Sequence, residues 1–200
     1  MILGISMFCR IIRPMEEMLS DQQLVRAALD NLEAFAGIVD RYKHRLTRYI
    51  RHLGCRDNQG AEDILQEVFI KVYRNLNDYD ETLAFSSWIY RIAHNETISF
   101  FRKNRNVPQA LDFDTEIEAL QAVSTEDPSF LFDRKSKAEY VHNAIEQLDA
   151  RHKEVVILRY LESKSYAEIA DILQKPPGTV AILLRRAKLE LKKILVSHYD

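Results

Sequence analysis

The sequence predicts an all-α protein: two small helical domains joined by a flexible acidic linker, the C-terminal one containing a helix-turn-helix. Three observations lead there. Apolar residues recur at helical spacing in long amphipathic runs through both halves of the 200-residue chain. Only five Gly and five Pro interrupt it, too few for a loop-rich or all-β chain, while 46% hydrophobic residues supply real cores. Between the halves lies a stretch with acidic side chains and no basic one.

The net charge of −2 hides this partition. Counting Lys and Arg against Asp and Glu, residues 1–106 carry 15 and 14, residues 107–133 carry 0 and 7, and residues 134–200 carry 13 and 9. Two weakly basic blocks flank an acidic one. The expected layout is an N-terminal extension over 1–20, a helical domain over 21–106, a linker over 107–133 and a helix-turn-helix domain over 134–200.

The first residues are apolar, but Arg10 and Arg13 follow the apolar run rather than precede it. No small-residue cleavage site follows, and the run is too short to span a bilayer. Residues 1–14 read as an unstructured extension, with Met15 or Met18 as alternative translation starts; the other reading is a membrane-surface anchor.

Ser20 or Asp21 caps a short helix through Leu32. From Glu33 to Leu53, Phe35, Ile38, Val39, Tyr42, Leu46, Tyr49, Ile50 and Leu53 form a long stripe, and Gly54 ends this helix. Asp57 to Gly60 turn into the next. There Ile64, Leu65, Val68, Phe69, Val72 and Tyr73 make the buried side, while Asp63, Gln66, Glu67 and Lys71 face outward. Asp63 and Glu67 lie four apart and repel by a few tenths of a kcal/mol. A folded monomer gains nothing from that; a basic partner would.

The following loop, Asn77 to Ala84, holds Asn77, Asp78, Tyr79 and Asp80, which a plain surface turn accommodates. The helix from Phe85 to Arg105 buries Ile89, Ile92 and Ala93. Trp88, Arg91, Asn95 and Arg102 share another of its stripes. A ring, an amide and two guanidinium groups in line can stack on bases, bond their edges and hold phosphates. A solvated basic face with a half-buried Trp fits the same spacing.

These two helices resemble regions two-point-two to two-point-four of the bacterial sigma-70 family, in its compact extracytoplasmic-function form. The family's D-x-x-Q-E-x-F string is met by Asp63, Gln66, Glu67 and Phe69. Its F-x-x-W-[LI]-x-x-I-A-x-N string is met by Phe85, Trp88, Ile89, Ile92, Ala93 and Asn95. The resemblance implies that the first helix, with Lys71 beside the motif, binds the polymerase beta-prime coiled coil. It implies that the second, with Asp78 and Tyr79 in a base pocket before it, opens and reads the minus-ten element. Core RNA polymerase (beta and beta-prime subunits), promoter DNA and an anti-sigma factor are the implied partners.

Residues 107–133 read as a linker, with a transient turn around Glu116 to Val123; by resemblance it threads through polymerase near the RNA path. Helical periodicity returns with Val141, Ala144, Ile145 and Leu148. Asp149 caps a helix carrying Val155, Val156, Leu158, Tyr160 and Leu161. Ser165 and Glu168 make a capping box for the next. After a turn, Gly178 to Val196 form the last, with Val180, Leu183, Leu184, Ala187, Leu191 and Leu195 inward. Two such helices with a tight turn make a helix-turn-helix, and the segment is similar to region four of the family.

The recognition helix departs from the family string. Ala181, Ile182 and Leu183 stand where Lys/Arg-Ser-Arg usually face the minus-thirty-five element, so sequence reading is expected to weaken. Lys175, Thr179, Arg185, Arg186 and Lys188 remain to hold duplex DNA. The apolar run meets either thymine methyls or a protein partner. Gln174 occupies a turn position where glycine is usual, at a cost of ~1 kcal/mol in left-handed geometry.

Cys9 and Cys55 form no metal-binding spacing, and His52 with Cys55 supplies only two ligands. The expectation is free thiols in a reducing cytosol, with no metal and no cofactor. No nucleophile–base pair or phosphate loop points to an enzyme. Two other classes stay open: a conventional helix-turn-helix regulator, and a sigma-like interaction protein that reads DNA weakly.

Overall fold

The computed structural model describes residues 19–104 and 140–196, and among them every regular element is helical. Ser20, rather than Asp21, caps helix α1, Asp21–Asp30. Its hydroxyl accepts from the Gln23 N–H at 3.3 Å, while Gln23 Oε1 accepts from the Ser20 N–H at 2.8 Å. Asp21 is thereby left to bind Arg41, at 2.8 Å, and the Tyr42 hydroxyl, at 2.6 Å, which ties α1 to the next helix.

α1 stops at Asp30, short of Leu32, because Asn31 turns extended and its side chain caps a single 3-10 turn, Leu32–Ala34. The long helix α2 therefore spans Phe35–His52 and starts two residues later than its periodicity predicts. Gly54 follows at φ 118°, where a side chain would strain the backbone. Asp57 accepts from the Gly60 N–H at 2.8 Å and caps α3, Asn58–Arg74. Residues 58–60 thus form the first turn of α3 instead of a linking turn.

A 3-10 turn, Leu76–Asp78, leads to α4, Phe85–Lys103. Ile38, Tyr42, Leu46, Tyr49, Ile50, Val68, Val72 and Ile89 are fully buried between α2, α3 and α4. Each such side chain stabilises the fold by about 1.5–3 kcal/mol relative to exposure. Tyr73 departs from the expected buried stripe: it is 47% exposed, its ring set edge-on against Phe35 at 5.3 Å.

The C-terminal run begins with helical residues 140–146. Asp149 then accepts from the Arg151 and His152 N–H groups and caps α5, Ala150–Val156. α5 does not run on as an ordinary helix. It widens into a π turn, Ile157–Leu161, in which the Glu162 N–H reaches Ile157 O at 3.0 Å. Ser163 follows with φ 53°.

Ser165 and Glu168 close the predicted capping box on α6, Tyr166–Leu173. Gln174 is left-handed, at φ 51° and ψ 45°, as its turn position predicts. The last helix, α7, is Pro177–Val196, with Val180, Leu184 and Ala187 buried and Leu183, Leu191 and Leu195 half-buried. α4 packs against α3 within its own unit and against α6 of the other. The linker 107–133, residues 1–14 and Arg105 lie outside the described residues.

Candidate functional site

α3 presents its polar face to solvent. Asp63, Gln66, Glu67 and Lys71 are exposed, and Phe69 is half-buried, edge-on to Phe35 at 6.5 Å. Gln59 donates to Asp63 at 3.0 Å, and Lys71 pairs with Glu96 of α4. Ile70, 41% exposed, continues the line of Asp63 and Glu67 at helical spacing, with Tyr73 beside it. This surface is therefore acidic with an apolar margin. The position of Ile70, three residues past Glu67, was the signal available in the sequence for that margin.

The loop and the start of α4 are less open. Asp78 is exposed, but Tyr79 and Phe85 are buried, and the Tyr79 hydroxyl donates to Leu83 O. Tyr79, Phe85 and Trp88 form a ring cluster with centroids 5.2–5.6 Å apart, and Tyr42 meets Phe85 at 5.6 Å. Trp88 is 7% exposed, so its ring is packed rather than offered to a base. Asn95 and Arg102 are exposed on the same helix.

Arg91 is half-buried, its Nη1 donating to Asp171 Oδ1 of α6 at 2.9 Å. The predicted stripe is thus split: Trp88 is packed in the ring cluster, Arg91 is engaged by the C-terminal unit, and Asn95 and Arg102 are open. Around Arg91 the two units share a polar seam. Glu162, with its side chain 1% exposed, accepts from Arg48 Nε and Nη2, both at 3.3 Å, and from the Tyr90 hydroxyl at 2.6 Å. His52 Nδ1 stands 3.7 Å from the same carboxylate. Lys164 Nζ lies 4.4 Å from the centre of the Tyr90 ring, and Ser86 donates to Glu168 at 3.3 Å.

Burial alone would raise the Glu162 carboxyl. His52, Arg48 and Tyr90 outweigh it and hold the group below the usual glutamate range. Next along α4, burial pushes the His94 imidazole down to about 4, helped by the nearby Lys175 charge. The Tyr49 hydroxyl lies 3.2 Å from His94 Nδ1.

Lys175 is itself half-buried. The other duplex candidates, Thr179, Arg185, Arg186 and Lys188, are exposed, with Lys188 set over the Tyr160 ring at 5.7 Å. Ala181 is exposed and Ile182 is 54% exposed, whereas Leu183 packs partly against the core. Ile182, Arg185, Leu189, Lys192 and Val196 follow one another along the solvent side of α7.

Among the described residues, Asp149, His152 and Glu190 bring metal-ligating atoms within 4.8 Å of one another. Hydrogen bonding accounts for the convergence. Asp149 is the cap of α5, and His152 Nδ1 meets Glu190 Oε2 at 2.6 Å, which fastens α5 to α7.

Residues 38–107 match the family described as Sigma-70 region 2, and residues 138–191 that described as Sigma-70, region 4. Over 189 residues the chain is 32% identical to the ECF RNA polymerase sigma factor SigW of Bacillus subtilis, covering 90% of this chain and 98% of the relative. It is 33% identical over 183 residues to the RNA polymerase sigma-H factor of Pseudomonas aeruginosa, covering 88% and 93%. Two solved structures share the fold. CnrH in complex with the cytosolic domain of CnrY aligns at TM-score 0.64 and 22% identity, over 88% of this chain and 97% of that one. The sigma factor RpoE in complex with the anti-sigma factor NepR, from Bartonella quintana, aligns at 0.62 and 19%, over 80% and 96%.

Proposed function

Because this chain belongs to the sigma-70 family of RNA polymerase sigma factors, in its extracytoplasmic-function form, we propose a division of labour among its helices. α3 binds core RNA polymerase, α4 and the loop before it open promoter DNA, and α6 with α7 holds the upstream duplex. The observation that carries this is the outer face of α3. Asp63 and Glu67 are exposed there as a like-charged, repelling pair, with the Gln59 amide donating to Asp63 at 3.0 Å. A basic partner surface gives that pair its use.

The working boundaries are 21–106 for the polymerase-binding and melting domain, 107–133 for the linker and 134–200 for the duplex-binding domain. On α4, Asn95 and Arg102 meet the opened strand directly, and Arg91 joins them once released from Asp171. Trp88, Phe85 and Tyr79 act mainly by shaping the cluster from which Asp78 and the loop project. On α7, Arg185, Arg186 and Lys188 hold phosphates, with Thr179 and Lys175 at the helix start.

Chemistry of its own is not assigned to the chain; it acts by binding, in the cytoplasm with the polymerase. Among the described residues no helix is long and apolar enough to cross a membrane. The solved relatives are complexes with the CnrY cytosolic domain and the anti-sigma factor NepR, which supports an anti-sigma partner here as well. Exposed Ile182 and Leu189 favour a second reading, a sigma-like protein that contacts partners more strongly than it reads sequence.

Run-off transcription with core polymerase, with and without the chain, tests the function. Transcripts from a specific start are expected only with the chain present. Glu67→Lys should abolish co-purification with core polymerase and leave the melting temperature within about a degree, because exposed charges contribute little to folding. Undiminished co-purification of that variant would remove the α3 face from the mechanism.

A further inference from the structure

The acidic outer face of α3 runs into an apolar surface that a basic partner alone does not explain. Leu32 is 65% exposed, and Ile70 and Tyr73 are exposed as well. Side chains three apart in a 3-10 turn stand over one another, so Leu32 adjoins Phe35. The Phe35 ring in turn meets Phe69 at 6.5 Å and Tyr73 at 5.3 Å, which makes the patch continuous from the 3-10 turn to the end of α3. Carboxylates border it: Asp30 and Glu33 flank Leu32, and Glu67 and Asp63 precede Ile70 along α3, all four exposed. On the same helix Lys71 is paired with Glu96, and Arg74 stands exposed at the last position. Contiguous apolar surface of this kind marks a place that something covers.

Segment 1–14 of this chain has the matching chemistry. It is mostly apolar, carries Arg10 and Arg13, and holds no acid. Its tether also ends close by. Leu19 packs against the core, and its carbonyl accepts from Arg41 Nη2 of α2 at 2.5 Å. Phe35 precedes Arg41 on α2 by about 9 Å along the axis, at 1.5 Å per residue. From Leu19 back to Arg13 the chain spans up to about 20 Å at ~3.3 Å per residue, enough to reach the patch. The stripe from Tyr73 to Asp63 is about 15 Å long, within the length of the residues that remain.

We infer that residues 1–14 dock on this surface of their own chain, with Phe8, Ile11 and Ile12 against the Leu32–Phe35–Ile70–Tyr73 patch and Arg10 and Arg13 toward Glu33, Asp63 and Glu67. Apolar burial from both sides supplies the attraction, and the carboxylates fix which way the basic residues lie. The segment then covers the face of α3 assigned to core RNA polymerase and competes with it. That competition rests on the function proposed above; the docking does not.

Cys9 makes the docking measurable. Cys55 is 3% exposed, so a thiol-reactive spin label on the full chain goes to Cys9. Amide signals of Leu32, Ile70 and Tyr73 should broaden relative to the same chain with the label reduced. They should regain intensity when Arg10→Glu and Arg13→Glu are introduced together. Unbroadened patch amides in the wild-type sequence would overturn the docking, including the case in which the labelled segment enters phosphatidylglycerol vesicles instead. Equal broadening in a mixture of spin-labelled chains with separately isotope-enriched, unlabelled ones would make the contact one between copies and overturn the intramolecular form. A chain beginning at Met15, its helices checked by circular dichroism, should bind core polymerase about tenfold more tightly. That is the gain when an open form populated near ~10% becomes the whole population. Equal affinity of the two chains would overturn the competition. If neither chain binds core polymerase, the proposed function falls, and the broadening alone decides the docking.

Discussion

Ser163 and Gln174 hold positive φ angles, 53° and 51°, without being glycine. Such a conformation costs roughly 1–2 kcal/mol for an L-residue. Ser163→Gly should therefore stabilise the full chain by about 1 kcal/mol and raise its melting temperature by a few degrees. Gln174→Gly should gain less, because the Gln174 amide donates to Asp171 O at 2.6 Å. His94 carries a pH dependence. Folded, it stays neutral down to about 4, whereas the unfolded chain takes up the proton near 6.5. Its contribution is thus intact above 6.5 and is lost as pH falls from there toward 4, by about 1 kcal/mol between roughly pH 7.5 and 5.5. Melting temperatures across that range should fall less steeply in His94→Gln; an identical slope would clear His94. Gln174 and the exposed Asp63, Glu67 and Asn95 were legible in the sequence. His94 was not, because what lowers its pKa is burial and a lysine 81 positions away in the chain.

The helices themselves were legible wherever their signals are local. The Ser20 and Ser165 caps and the long stripe of α2 depend on neighbours within a few residues. The 3-10 turn after Asn31 and the π turn after Val156 were not foreseen, since apolar spacing continues through both. On α4, spacing placed Trp88 and Asn95 on one stripe but did not say that Trp88 is covered. The two consequently behave differently. Trp88→Ala should destabilise the protein by about 3–5 kcal/mol and blur any DNA phenotype. Asn95→Ala should leave stability unchanged and reduce permanganate reactivity of promoter thymines at equal polymerase occupancy; normal opening would exclude Asn95. α7, with Ala181 and Ile182 outward, should bind duplex largely through phosphates. Full-chain titrations at two salt concentrations should then show steep salt dependence. Scrambling the upstream element should cost well below the ~1–3 kcal/mol per pair of a sequence-reading helix. Salt-tolerant binding that collapses on one base change would show apolar base reading instead.

At the scale of the whole molecule, the two helical units follow from composition and periodicity, and the division between them from a charge block with 0 basic and 7 acidic residues. Their mutual placement does not. Arg48 and Glu162 are 114 residues apart, and Tyr90 and Glu162 are 72 apart. No local pattern encodes such pairs, and each residue taken singly reads as an ordinary polar surface position. The π turn, Ile157–Leu161, acts here as an indexing step. Relative to an α turn it takes up one extra residue at nearly the same angular advance, so the helix beyond it keeps its phase. Straightened into regular α-helix with all its residues, the same segment would carry Glu162 out of phase with its pocket by about 100°, and α6 and α7 with it. The angular setting of the C-terminal unit is thus written in where a single turn takes up one residue, with every side chain of the seam intact.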